Sequence, residues 1–148
     1  MRGRTVLFLA LMVAAGIGSA RAEEAIWSAL VYATNEKNPA PVPEKLVPYA
    51  RQLETVFGYN QLRLLNEHRV VVKDGVERWL IPGKPFCLRV ENKAGKPLVA
   101  GDYRLALQLY QDKRLLVQTE AQLGHKCPLF VRGPLYKKGQ LVILLVVE

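Results

Sequence analysis

The stretch LGHKCPLF, residues 123–130, sets His125 two positions before Cys127 with Lys126 between them, in a chain with two histidines and two cysteines. A thiol beside an imidazole and an ammonium admits three chemistries: a nucleophile with an electrostatically lowered pKa, a metal ligand, or half of a disulfide. A metal site would need His68 and Cys87 to join His125 and Cys127. Only His125 and Cys127 are closely spaced, whereas structural zinc sites usually draw their ligands in short pairs. A nucleophile needs a geometry that adjacency does not supply, because a strand turns neighbouring side chains to opposite faces. In an oxidising compartment two cysteines are expected to join, so a Cys87 to Cys127 bridge is the leading expectation. Closing that loop would contribute about 4 kcal/mol in the chain-entropy model. Two separate reduced thiols acting as small core residues are the remaining reading.

A second constellation follows in LFVRGPLYKKGQL, where Phe130 and Tyr136 interleave with Arg132, Lys137 and Lys138. Between Lys113 and Lys138 the chain carries six basic residues (Lys113, Arg114, Lys126, Arg132, Lys137, Lys138) against Glu120 alone, while the remainder downstream of Ala22 is balanced. Such a surplus sets up a local positive field that attracts phosphates or acidic polymers. Lys126, Arg132, Lys137 and Lys138 are therefore the candidate anion-binding residues. Aromatic and basic residues so mixed also suit nucleic acid, which an exported protein does not meet in the ordinary course. Solvated lysines around a G-P turn are the plain alternative.

Several chemistries lack their parts. Beyond residue 22 the chain has one serine, Ser28, inside an apolar run with no glycine elbow around it, which removes serine-nucleophile hydrolysis. No Gly-rich phosphate loop, dinucleotide fingerprint or H-E-x-x-H occurs. Glu91, Asp102, Asp112 and Glu120 fall at charged, strand-edge or turn positions, where solvation accounts for them. No catalytic residue, resident metal or cofactor is expected.

The elements that must carry these residues are mostly strands. AIWSALVYAT (25–34) is nearly all apolar and LVILLVVE (141–148) is apolar up to its last residue, as in strands covered on both faces. NEKNPAPVP holds a proline-rich connector at 39–43. The helix is expected over 44–57, where Leu46, Tyr49, Ala50, Leu53, Val56 and Phe57 recur at helical spacing and Gly58 is placed to cap. After Tyr59 come YNQLRLL, HRVVVK and VERWLI, the last two flanking an Asp74-Gly75 hairpin signal. FCLRVEN alternates Phe86, Leu88 and Val90 against Cys87, Arg89 and Glu91. YRLALQLYQ places Tyr103, Leu105, Leu107 and Leu109 on one face, and RLLVQTEAQL pairs back across QDK. Arg63, Arg69, Arg78, Arg89 and Arg104 fall about one to a strand, where cross-strand ion pairs account for them. The fold class is α+β and β-rich: a single domain over 23–148, with one N-terminal helix packed on an antiparallel or mixed β-sheet or sandwich of about seven or eight strands.

MRGRTVLFLALMVAAGIGSARA has Arg2 and Arg4, an apolar run from Val6 to Ile17, and Ala20 and Ala22 framing Arg21, the pattern of a cleavable secretory signal over 1–22. The apolar run falls short of the roughly 20 residues that span a bilayer, and no other follows. A periplasmic or secreted bacterial location is expected, with no transmembrane segment after cleavage.

In LVPYARQLETVFGYNQLRLL a short helix ends in an F-x-Y-x-x-x-x-L-L junction, Phe57, Tyr59, Leu64 and Leu65, ahead of a run of strands. In this the chain resembles a group of uncharacterised exported bacterial proteins, a resemblance that implies a small envelope domain and carries no activity. The expected role is non-enzymatic: presentation of a β-rich surface to another envelope protein or an anionic envelope polymer. A small thiol- or metal-dependent enzyme using His125 and Cys127 is one alternative. A basic binder of an anionic polymer or membrane surface is the other.

Overall fold

The computed structural model describes residues 25–71, 77–81, 86–93, 103–125 and 127–148. The expected signal over 1–22, Asp74-Gly75, Asp102 and Lys126 lie outside the described residues. Among the described residues eight strands, β1 (Ile26–Thr34), β2 (Gln61–Val70), β3 (Glu77–Ile81), β4 (Phe86–Asn92), β5 (Tyr103–Gln111), β6 (Arg114–Leu123), β7 (Leu129–Tyr136) and β8 (Gly139–Val147), accompany one α-helix, α1 (Val47–Phe57). They form two four-stranded sheets, ordered β2-β1-β8-β7 and β3-β4-β5-β6, in which every described pairing is antiparallel.

Burial explains the two patterns visible in the sequence. Ile26, Leu30, Tyr32, Leu141, Ile143 and Leu145 of the first sheet join Phe86, Leu88, Val90, Leu105, Leu107 and Leu109 of the second in one buried cluster. The opposite face of the first sheet is covered by α1 and the turn that leads into it: Leu46 of that turn and Leu53 of α1 pack with Trp27, Ala29, Val31, Val142 and Leu144 in a second cluster. β1 and β8 are therefore buried on both faces and read as continuous apolar runs. The second sheet has only its inner face covered, so β4 alternates buried and half-buried residues along its length. Full burial of Leu46 and Leu53 contributes about 1.5–3 kcal/mol each before entropy is counted.

The helix departs from expectation in three ways. It is not the first element, because β1 precedes it. Residues Glu44–Leu46 form a 3-10 turn and the α-helix begins at Val47, because Pro48 has no N–H to give and is tolerated only in the first turn. Val56 is 58% exposed rather than part of the apolar stripe. The helix ends as expected on Gly58, in a left-handed conformation at φ 75° with its N–H bonded to the Glu54 carbonyl. The proline connector is pinned to the far side of that corner: Gln61 accepts the Ala40 N–H at 2.9 Å, and Asn60 exchanges hydrogen bonds with residues 35 and 36.

Two strand expectations also change. YNQLRLL and HRVVVK contribute to one strand, β2, and the Asp74-Gly75 signal does not join paired strands, since β2 and β3 belong to different sheets. A D-G dipeptide reports a local reversal only, and the choice of partner is made by packing.

Each of the four sheet-ending strands carries a bulge. The ladders slip by one residue at Leu65 in β2, Leu80 in β3 and Leu116 in β6, and across Gly133-Pro134 in β7. The interior ladders β1–β8 and β4–β5 run without a break. Bulges twist an edge away from the flat template that another strand would need.

Candidate functional site

The register fixes which loops share an end of the molecule. Phe86 opens β4 opposite Gln111, the last residue before the Asp112-Lys113 turn. The Phe86 ring meets Tyr136 edge-on at 5.2 Å, and Tyr136 is the last residue before the Lys137-Lys138 turn. The β5–β6 and β7–β8 hairpin tips therefore project from the same end, where the chain also leaves β1 into residues 35–38. Both tips require uncommon backbone, with Asp112 and Lys113 at φ 55° and 123° and Lys137 at φ 50°. Gly139 follows at a contact that only glycine allows, since a Cβ there would lie 2.0 Å from the Ala33 carbonyl oxygen. The Lys138 N–H donates to the Tyr32 hydroxyl at 3.1 Å, which ties the tip to the core.

This hairpin end is basic. Lys37, Lys113, Arg114, Lys137 and Lys138 are all exposed, and Glu36 and Asp112 are the carboxylates beside them. None of these cations has an ion-pair partner among the described residues; the Lys137 ammonium rests 5.2 Å from the centre of the Tyr136 ring. Arg132, grouped with Lys137 and Lys138 by sequence, is committed elsewhere. Its guanidinium stacks over Phe57 at 5.2 Å and donates to Gln140 Oε1 at 3.3 Å. Gln140 in turn donates to the Gly133 carbonyl at 3.0 Å, holding the β7 bulge, and Tyr59 donates to the same Gln140 oxygen at 3.5 Å. The junction residues Phe57 and Tyr59 thus serve the seam between α1 and β7.

The opposite end is arranged differently. All four ion pairs recorded among the described residues lie in that half: Lys45 with Glu67, Arg69 with Glu148 at 2.8 Å, Lys93 with Glu91 at 3.6 Å, and Arg104 with Glu120 at 3.6 Å. Glu67 also accepts the Trp27 indole N–H at 2.9 Å, and the Lys45 hydrogen bond, followed by that of Trp27, holds its carboxyl below the usual range. Trp27 stacks on Tyr49 at 6.1 Å, and the two rings wall an open cleft of about 640 Å³ with Glu67, His68, Arg69 and Glu148. Sequence reading missed this cleft. Trp27 and Glu67 are 40 residues apart and meet only through the β1–β2 register.

The cysteines are held apart by the same register. Cys87 lies across from Tyr110, and Tyr110 from Leu115, at the hairpin end. Cys127 follows β6, whose course from Leu115 to Leu123 covers about 26 Å at the usual rise per residue. A disulfide needs Cα atoms within about 7 Å. Both thiols are free, Cys127 exposed and Cys87 half-buried, with burial pushing the Cys87 thiol up. The expected bridge is not formed, because the two residues sit at opposite ends of the second sheet. Equally, His68 on β2, Cys87 on β4 and the His125-Cys127 loop do not converge, and no three His, Cys, Asp or Glu side chains among the described residues form a metal-ligand set. Ser28 is fully buried and donates to the His68 carbonyl at 3.2 Å.

Of the four sequence-selected anion-binding residues, the structure brings Lys137 and Lys138 together, places Arg132 against α1, and does not describe Lys126. It adds Lys113 and Arg114, members of the same basic segment that lie 24 positions before Lys137 and Lys138 in sequence. No protein-family model, curated protein or solved structure matches the chain.

Proposed function

We propose that this chain is a non-enzymatic exported domain, periplasmic or secreted, that binds an anionic envelope component end-on through its two hairpin tips. The two sheets and α1 are read as a single sandwich-like unit in which the helix layer stiffens one outer face. The observation that carries the reading is the segregation of charge. Carboxylates neutralise cations pairwise at one end, while Lys113, Arg114, Lys137 and Lys138 share the other with no ion-pair partner among the described residues. Unneutralised cations clustered on turns raise the local potential and draw anions to that surface. Recognition at the end rather than along a sheet edge follows from the bulges on all four edge strands, which disfavour strand addition.

The test is elution from immobilised heparin in a salt gradient. The variant carrying Lys113→Gln, Arg114→Gln, Lys137→Gln and Lys138→Gln should elute at markedly lower salt, because each lost contact removes a released counterion. Unchanged elution would defeat the proposal. Export is checked by intact mass, which should give a mature chain beginning at Glu23.

A further inference from the structure

Each hairpin tip repeats one juxtaposition. Lys113 and Arg114 adjoin Leu115, which is 43% exposed, and Lys137 and Lys138 lie within three residues of Leu135, which is 80% exposed. Leu135 is the most exposed large apolar side chain among the described residues. The remaining ones are Val47 and Val56 on α1 and Leu65 at the β2 bulge.

The two leucines point to opposite sides of the same end. Tyr136 packs against the core, so its neighbour Leu135 faces the other way, on the α1 side of the first sheet. Leu115 pairs with Tyr110, which alternates with the buried Leu109, so Leu115 faces out from the second sheet. A flat surface approached end-on would meet both leucines at its margins and the cations between them. A soluble polyanion offers nothing to an exposed leucine, whereas a membrane interface offers phosphates to the cations and acyl chains to the leucines.

We infer that the anionic partner is a lipid surface, on which the protein stands by its hairpin end with Leu115 and Leu135 entering the headgroup region. This rests on the proposed anion-binding role of that end. No described helix is long and apolar enough to cross a bilayer. Each cation brought to an anionic surface strengthens binding roughly fivefold, and partial burial of one leucine contributes a similar factor.

The experiment is flotation of the exported protein with vesicles of phosphatidylglycerol and phosphatidylcholine, and with phosphatidylcholine alone, in parallel with heparin elution. The wild type should float with the anionic vesicles and remain behind with the neutral ones. Leu135→Ser should weaken vesicle binding about fivefold while leaving heparin elution unchanged, and Leu135→Phe should retain it. Because Leu135 is largely exposed, both variants should keep the wild-type thermal midpoint. Vesicle binding unaffected by Leu135→Ser, or heparin retention without vesicle binding, would overturn the lipid assignment alone. Failure to bind either heparin or anionic vesicles would overturn the proposed function with it.

Discussion

At the Cys127 end of the two sheets, Lys45, Arg69, Lys93 and Arg104 each rest against a carboxylate; at the hairpin end, Lys37, Lys113, Arg114 and Lys138 have no such partner among the described residues. The difference lies in where the chain places its acidic residues. Exposed ion pairs contribute only about 0–1 kcal/mol each, and their effect is as much to cancel a field as to strengthen the fold. Left uncancelled, cations on tight turns repel one another slightly and project a potential outward. One end thus cancels its own field and the other projects one.

The sharpest way to break this contrast is Gly139→Ala. The added methyl would meet the Ala33 carbonyl and Thr34 at 2.0 and 2.8 Å, so the β7–β8 tip must shift or β1 must give way. A loss of about 3 kcal/mol is expected by denaturant unfolding, and a loss below about 1 kcal/mol would mean that the hairpin end is not rigidly seated. The cysteines report on both ends at once. Alkylation of native protein without reductant should label both thiols, Cys127 about tenfold faster, since Cys87 is half-buried and its thiol is pushed up. A linked Cys87-Cys127 peptide in a non-reducing digest would contradict the separation of the two ends.

At the paired end, Glu67→Gln should lower stability by about 1 kcal/mol at pH 7, because the carboxylate serves both Lys45 and Trp27. The folded state holds the Glu67 carboxyl below its unfolded value, so this contribution is present above the ordinary carboxylate range and lost as pH falls through the depressed folded value. Wild type and variant should therefore converge in stability once pH falls below that depressed folded value, and a gap that persists there would point to packing instead of charge. The smallest effect is expected at the free end. Neutralising Lys113, Arg114, Lys137 and Lys138 should change unfolding free energy by no more than about 0.5 kcal/mol, since no ion pair is lost. A large destabilisation would show that these side chains hold the fold.

Those expectations separate what sequence carries from what only packing decides. β1, β8 and the alternation of β4 were legible because burial on two faces or on one leaves a direct imprint on composition. The helix end at Gly58 was legible because a left-handed cap is a local demand. The misplaced pairing at Asp74-Gly75, the exposed Val56 and the unformed disulfide share one cause. Each depends on which distant segment lies alongside, and neither periodicity nor spacing encodes that. The candidate site shows the same division: Lys137 and Lys138 were visible as a cluster, while Lys113 and Arg114 joined them only once Phe86 was seen against both Gln111 and Tyr136.

The unbroken β1–β8 ladder bears on how the molecule comes into being. Its partners, from Ile26 with Val147 to Ala33 with Gln140, are more than a hundred residues apart in the chain. The central, most deeply buried pairing therefore cannot close until nearly all of the polypeptide is available, and contacts of such sequence separation make folding slow. Until then β1 and β8 present apolar, unbulged edges, and the guards on β2 and β7 are not yet beside them. The interval between synthesis and closure is the time at which the chain is most exposed to misassembly, and a holding chaperone would act on those two segments.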